Sequence, residues 1–212
     1  MTISPRVAVI DYGLCNIDSV ARAVVECGGT AIITDRAEEI LLATHIVLPG
    51  VGSFTDAMQN IRKASLDVIL KKRVEEERIP FLGICLGMQL LATKGWEGGE
   101  TQGLGWIAGE VRRLEPPDPS VRIPHVGWNT VEQVRSSPLL AGVASGKDFY
   151  FVHSYAFKPE DASVISGTCS YGEDFVAAVE KNRVCATQFH PEKSQKAGLQ
   201  VLTNFIERYV RC

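Results

Sequence analysis

Short β-branched runs alternate with longer segments of helical period between residues 7 and 85, a pattern that belongs to a parallel sheet covered by helices. The strand candidates are residues 7–11, 31–34, 45–49 and 81–85. Between them, residues 17–27 put Val20, Ala23, Val24 and Cys27 on one face, and Leu66, Ile69, Leu70, Val74 and Glu77 trace a second amphipathic helix. Such helices are expected as right-handed crossovers between parallel strands. After about Gly95, Gly- and Pro-rich turns separate the runs 149–157, 164–168, 175–180 and 184–189, which read as mostly antiparallel strands. A last helix over 195–209 aligns Leu199, Leu202, Phe205, Ile206 and Tyr209 on one side. Residues 116–119, Pro-Pro-Asp-Pro, read as an exposed loop, and with no linker or repeat in view the expectation is one domain over 1–212.

Composition matters mainly for what it excludes. A net charge of −3 gives no basic excess, and Lys71-Lys72-Arg73 is followed at once by Glu75-Glu76-Glu77, the pattern of a solvated helix face. Phosphate-backbone binding is therefore not expected. No apolar run approaches the roughly 20 residues of a membrane span, and residues 1–6 lack the apolar segment of a signal peptide, so the expected location is cytoplasmic. The six cysteines, at 15, 27, 85, 169, 185 and 212, have neither metal-type close pairs nor the density of a disulfide scaffold. Most are expected as free, buried thiols, and neither a metal nor a cofactor is implied.

Residues 80–89, Pro-Phe-Leu-Gly-Ile-Cys-Leu-Gly-Met-Gln, are the most informative stretch: an apolar strand runs through Gly-x-Cys-x-Gly into a helix-forming segment. This is a nucleophile elbow with sulfur in place of oxygen. Glycines on both sides let the backbone close while Cys85 projects at the sheet edge. A helix starting there would favour a thiolate, and the Leu86 N–H could meet a developing oxyanion. A purely structural reading, with Cys85 as a buried strand-end residue, accounts for the motif alone just as well.

A thiol with a pKa of about 8.5 is little ionised at neutral pH, so catalysis needs a base, usually an oriented histidine. His190 stands just past a predicted strand in Gln188-Phe189-His190-Pro191-Glu192, where Glu192 reaches the imidazole if the chain turns at Pro191. Cys85, His190 and Glu192 would then form a triad. His45 reads as structural, and His125 and His153 fit a packed or a ligand-facing role equally well. Gly50-Val51-Gly52, after another strand, could bring bare N–H groups to a substrate, or form an ordinary strand-to-helix turn. The dinucleotide and Walker patterns are absent.

Pro49-Gly50-Val51-Gly52, Gly83-Ile84-Cys85-Leu86-Gly87-Met88-Gln89 and His190-Pro191-Glu192, in that order, resemble the class I (triad) glutamine amidotransferases. More narrowly, Asp11-Tyr12-Gly13 with Asn16, Pro124-His125-Val126-Gly127-Trp128-Asn129, residues 150–155 and His190 to Gln195 resemble the glutaminase subunits of imidazole glycerol phosphate synthases. The resemblance implies a three-layer α/β fold, with a central mostly parallel sheet flanked by helices and a smaller antiparallel portion. It implies Cys85 as nucleophile, His190 as proton shuttle and Glu192 as its orienter. It also implies Gly50, Val51, Gly52 and Leu86 as oxyanion loop, and Gln89, His153, Ser154 and Tyr155 as holders of glutamine. The implied partner is a (β/α)8 cyclase subunit in a heterodimer, with Asn16, Trp128, Asn129 and Lys193 at or near the interface.

Two departures from that pattern stand out. Cys15 replaces a small glycine, and residues 91–97 lack the usual acidic, aromatic sequence after the elbow and read as a surface connection. Three other readings stay open: a related subunit feeding ammonia to another synthase, a thiol hydrolase, and a non-catalytic module on the same fold. A Gly-x-Gly turn is permissive enough to flip, so residues 50–52 are expected to rearrange before the oxyanion hole is complete.

Overall fold

The computed structural model describes residues 4–209, so Cys212 lies outside the described residues. The first half builds the expected alternation: β1 (Arg6–Ile10), α1 (Ile17–Glu26), β2 (Thr30–Thr34), α2 (Ala37–Leu41) and β3 (His45–Gly50). It continues through α3 (Phe54–Lys63), α4 (Leu66–Lys71), β4 (Phe81–Cys85) and α5 (Leu86–Gln89). The helix expected over 66–77 is helical throughout but in two parts, because Lys72–Glu76 widens into a π turn. Helix α3 adds to the expected elements; Ser53 caps it by accepting the Asp56 N–H, and its face of Phe54, Ala57, Met58 and Ile61 is buried.

The second half supplies β5 (Lys94–Gly95), β6 (Thr101–Gln102), β7 (Gly109–Arg113), β8 (His125–Gln133), β9 (Lys147–His153) and β10 (Tyr155–Pro159). It closes with β11 (Ile165–Ser170), β12 (Asp174–Lys181), β13 (Val184–Thr187) and α6 (Gln195–Arg208). The run 149–157, expected as one strand, is two: the chain leaves one sheet after His153 and enters another at Tyr155. Residues 162–164 form a 3-10 turn, so the next strand begins only at Ile165.

The large sheet has the order β2-β1-β3-β4-β13-β12-β11-β8-β9. Its first five strands are parallel and the remaining pairings antiparallel. Strand β13 is the hinge of that change, antiparallel to β12 but parallel to β4, so the antiparallel expectation for 184–189 holds on one side only. A small sheet, β10-β7-β5-β6, lies apart from it.

Strand alternation sorts the core into two layers. Val7, Val9, Val47, Leu82 and Ile84 pack with Val20, Val24, Val201 and Phe205 on one face; Ala8, Ile10, Ile46, Leu48 and Phe81 pack with Met58, Ile61 and Leu70 on the other. This is the three-layer α/β arrangement. The C-terminal ends of β3 and β4 meet at Gly50↔Cys85, beside the end of β13, where ligands of open parallel sheets gather. No described helix is long and apolar enough to cross a membrane.

Candidate active site

The elbow at Cys85 is sharp. Its φ of 54° and ψ of −107° are values that L residues adopt only where the surroundings impose them, at a cost of about 1–3 kcal/mol. Those surroundings are the two glycines. A Cβ on Gly87 would stand 1.8 Å from the Leu48 carbonyl oxygen, and one on Gly83 would stand 2.6 Å from that of Gly87. Cys85 is 5% exposed at the edge of a cavity, with its sulfur 3.7 Å from the Val152 carbonyl and 3.6 Å from Gln188 Nε2. The helix after it is a single turn, so the expected dipole support comes from four residues only.

His190 follows β13 and is pinned by its backbone: its N–H donates to Tyr150 O at 2.9 Å, and its carbonyl accepts Ser194 Oγ at 2.6 Å. Pro191 starts a 3-10 turn that swings Glu192 back under the ring, giving His190 Nδ1–Glu192 Oε1 at 2.8 Å. Both side chains are buried, at 4% and 1% exposure. Burial alone would push the imidazole pKa down. The Cys85 sulfur first, and Glu192 after it, outweigh that and raise it to about 10. The ring therefore favours its charged form, with Nε2 buried on the side away from Glu192.

The Gly50 to Gly52 segment runs beside the elbow but does not present Val51 to the cavity as a donor: the Val51 N–H is given to the Leu14 carbonyl at 2.8 Å. Gly50 is packed where no larger residue fits, since its Cβ would lie 2.0 Å from the Tyr12 hydroxyl oxygen. Gly52 holds φ of +98°, and the turn ends where Phe54 N–H donates to Glu97 Oε2 at 2.7 Å. The cavity itself, ≈ 240 Å³, is lined by Val51, Gly52, Cys85, Leu86, Gln89, Glu97, Pro124, Val152, His153, Ser154 and Tyr155. It is smaller than the range of about 300–1,000 Å³ that holds drug-sized ligands, and suits a single amino acid.

The structure thus sets Glu192 against His190, with Cys85 near enough to raise that ring's pKa, and lines one cavity with Cys85, Val51, Gly52, Leu86, Gln89, His153, Ser154 and Tyr155. His153 is a packed residue as well as a wall of the cavity. Its Nδ1 donates to Tyr155 O at 2.9 Å, and its Nε2 meets His125 Nδ1 at 3.0 Å. Burial lowers both rings to a pKa of about 4, so both are neutral at pH 7. His45 is buried likewise and stacks edge-on against Phe205, in keeping with a structural role.

The expectation of a surface connection over 91–97 is corrected. Leu91 and Ala92 are fully buried and Glu97 lines the cavity, because the segment turns back under α3 to cap Phe54. Glu97 is therefore a site residue that sequence reasoning missed. Gln188, fully buried behind Cys85, is a second, although it sits in the stretch leading to His190.

On the outer surface of β8 and β9, Trp128 is 49% exposed and Tyr150 lies edge-on to it at 6.1 Å, with Lys193 Nζ 5.6 Å above the Tyr150 ring. Asn16 is exposed in the loop between β1 and α1. Asn129 differs from Trp128 by one strand position and so faces the opposite way, its amide donating to Ser170 O at 2.9 Å and meeting His125 Nε2 at 3.3 Å. Cys15 is half-buried, 3.8 Å from Asp11 Oδ1; burial first and that carboxylate second raise its pKa to about 11.

Comparison with known proteins agrees with this geometry. The sequence pattern of the family described as glutamine amidotransferase class-I matches residues 8–208. Among curated proteins, the chain is 46% identical over 207 residues to imidazole glycerol phosphate synthase subunit HisH 2 of Nitrobacter winogradskyi, covering 95% of this chain and 98% of that one. It is 48% identical over 211 residues to subunit HisH of Zymomonas mobilis, covering 96% of each. Among solved structures, a glutamine amidotransferase from Thermotoga maritima superposes with a TM-score of 0.67 at 18% identity, over 99% of this chain and 100% of that one.

Proposed function

Since this chain belongs to the class I glutamine amidotransferases, we propose that it is the glutaminase subunit of an imidazole glycerol phosphate synthase, releasing ammonia from glutamine for a partner subunit. The observation that carries the chemistry is the buried constellation in which Glu192 holds His190 at 2.8 Å, just past the strand beside the Cys85 elbow, with burial lowering the ring's pKa and the Cys85 sulfur and Glu192 together raising it. A nucleophile, a base and an orienter in that order are what acyl transfer requires. The near-full-length relatives, named as synthase subunits, supply the pathway.

In this reading the Cys85 thiolate attacks the carboxamide carbon of glutamine, giving a tetrahedral oxyanion. His190 donates its proton to the departing nitrogen, the C–N bond breaks, and ammonia leaves a thioester on Cys85. Water, deprotonated by His190, attacks the thioester, the C–S bond breaks, and glutamate departs with the thiolate restored. Gln89, His153, Ser154 and Tyr155 shape the cavity around the substrate. Glu97, a carboxylate on its wall, suits the substrate's ammonium.

The oxyanion needs donors where its charge develops. Leu86 opens α5 next to the nucleophile, while Val51 gives its N–H to Leu14 instead. Turning the Gly50–Val51 peptide would free that N–H toward the cavity, and Leu14 belongs to the same loop as Asn16. A partner seated over Asn16, Trp128 and Lys193 would therefore act on the oxyanion turn through Leu14. We assign that partner as the (β/α)8 cyclase, in a heterodimer in the cytoplasm, and the whole chain as one domain, which the continuous nine-stranded sheet favours.

The test is glutamate release from glutamine by the purified chain, alone and with the cyclase and its nucleotide ligand, with Cys85→Ala as control. Strong stimulation that vanishes in Cys85→Ala is the expected result. Activity indifferent to the cyclase would assign the chain to another synthase, and no activity under any condition would overturn the enzymatic reading.

A further inference from the structure

The assigned mechanism uses three side chains, yet a fourth polar group reaches the reacting sulfur from behind. Gln188 stands two residues before His190 and is 0% exposed, and its backbone N–H is fixed to Ala177 O at 2.8 Å. Its Nε2 lies 3.6 Å from Cys85 Sγ, and its Oε1 lies 3.1 Å from Gln89 Nε2.

Which end of this amide faces the sulfur is settled by a backbone carbonyl. Tyr155 O can only accept, and it lies 2.8 Å from Gln89 Nε2 and 2.9 Å from His153 Nδ1. Gln89 must therefore turn its NH2 group inward. Gln188 must answer that donor with oxygen, because a second NH2 there would set two donors face to face in a dry site. The remaining end, an N–H, points at the sulfur. The Val152 carbonyl, 3.7 Å from the same sulfur, is an acceptor and favours the protonated thiol. A donor to a charged acceptor is roughly twice as strong as a neutral bond, so Gln188 prevails once the sulfur is ionised.

We infer that Gln188 is a fourth catalytic residue: its Nε2–H donates to the Cys85 thiolate, and the Tyr155 carbonyl and Gln89 impose that polarity. This rests on the reading of Cys85 as the reactive thiolate. The assignment gives Gln89 a second duty, as the part that stops Gln188 from flipping. A flipped Gln188 would put a lone pair against the thiolate and leave Gln89 without its acceptor.

The experiment follows the pH dependence of Cys85 alkylation by iodoacetamide, read at the Cys85 peptide by mass spectrometry because other thiols are present. It needs no glutaminase turnover, so its failure is separable from failure of the assigned activity. The titratable groups that face Cys85 are His190, Tyr12 and His153, with Glu97 on the same cavity wall. Gln188→Met keeps the length and removes the donor; the alkylation midpoint is expected to rise by about 1–2 pH units, the value of a hydrogen bond to a charged group. Gln188→Glu keeps the shape and reverses the polarity, and is expected to raise it at least as far. Thermal unfolding establishes that each variant is folded, and either one suffices. A folded variant with the wild-type midpoint would overturn the proposal.

Discussion

The Val51 N–H and the Leu14 carbonyl are joined by a 2.8 Å hydrogen bond, and this bond ties the turn beside Cys85 to the loop that follows β1. As long as it holds, the Val51 N–H cannot serve an oxyanion at Cys85. Amide exchange at Val51 is therefore expected to be protected in the free chain and to lose that protection when glutamine, the proposed cyclase partner and its nucleotide are all present. Protection that persists in a rapidly turning-over complex would mean that the oxyanion is held by other donors.

Tyr12 and Gly50 form a second coupled pair. Among the described residues the buried Tyr12 hydroxyl has no hydrogen-bond partner, and it sits 2.0 Å from where a Cβ on residue 50 would lie. Gly50→Ala is expected to destabilise the fold by about 1–3 kcal/mol through overpacking. Tyr12→Phe alone should be neutral or stabilising, since it deletes an unpaired buried hydroxyl. In the double variant the nearest remaining contacts are Leu86 Cβ at 3.0 Å and the Tyr12 ring at 3.3 Å, so much of the loss should be recovered. Additive effects in a denaturation cycle would contradict this packing.

Glu97 joins two functions in one carboxylate, capping Phe54 N–H at 2.7 Å and lining the cavity. Glu97→Ala is expected to raise KM for glutamine at least about tenfold, the loss of a charge-assisted contact worth about 1.5–3 kcal/mol. It should also lower the melting temperature, because the Phe54 donor loses its partner. Steady-state kinetics beside thermal melts would separate the two; an unchanged KM would remove Glu97 from the substrate site.

Replacing Glu192 by Gln keeps the shape but removes the charge that helps raise His190. The imidazole pKa is then expected to fall from its value of about 10, and kcat in the complex to drop at least about tenfold with KM little changed. An NMR titration of His190 beside the kinetics checks both. A wild-type kcat would mean that Cys85 alone organises the ring.

Stability should peak near neutral pH. His45, His125 and His153 are each lowered by burial to about 4, below the ordinary value of 6.5. Between those limits the unfolded chain binds protons that the native chain does not, so stability is lost as pH falls from 6.5 toward 4. His190 works the other way: its contribution is complete below 6.5 and is lost as pH rises through about 10. Melting temperatures measured across pH 4.5–10 are expected to fall on both sides, by ~2–4 °C for each kcal/mol lost. A melting temperature flat between pH 7 and 5 would mean that these rings are not buried neutral in solution.

Much of the molecule is legible in the linear pattern. Strand and helix periodicities are local, so β1 to β4, α1 and α6 can be read from side-chain spacing, and the Gly-x-Cys-x-Gly elbow and His-Pro-Glu turn carry their geometry within a few residues. The split of 147–159 at Ser154 is not legible, because both halves are equally good strands and only pairing with β8 or with β7 separates them. The place of Glu97 is also hidden: nothing local distinguishes a solvated carboxylate from one that reaches Phe54 across 43 positions. Likewise Gln188 acquires its direction only from Gln89 and the Tyr155 carbonyl, and Val51 loses its N–H only to Leu14. The main parallel strands and helices, and the candidate positions Cys85, His190 and Glu192, are legible along the chain, since they depend on near neighbours in sequence. Tertiary structure decided which buried donor meets which acceptor, since a buried polar group must find a partner in space and many residues of the same type compete for it along the sequence.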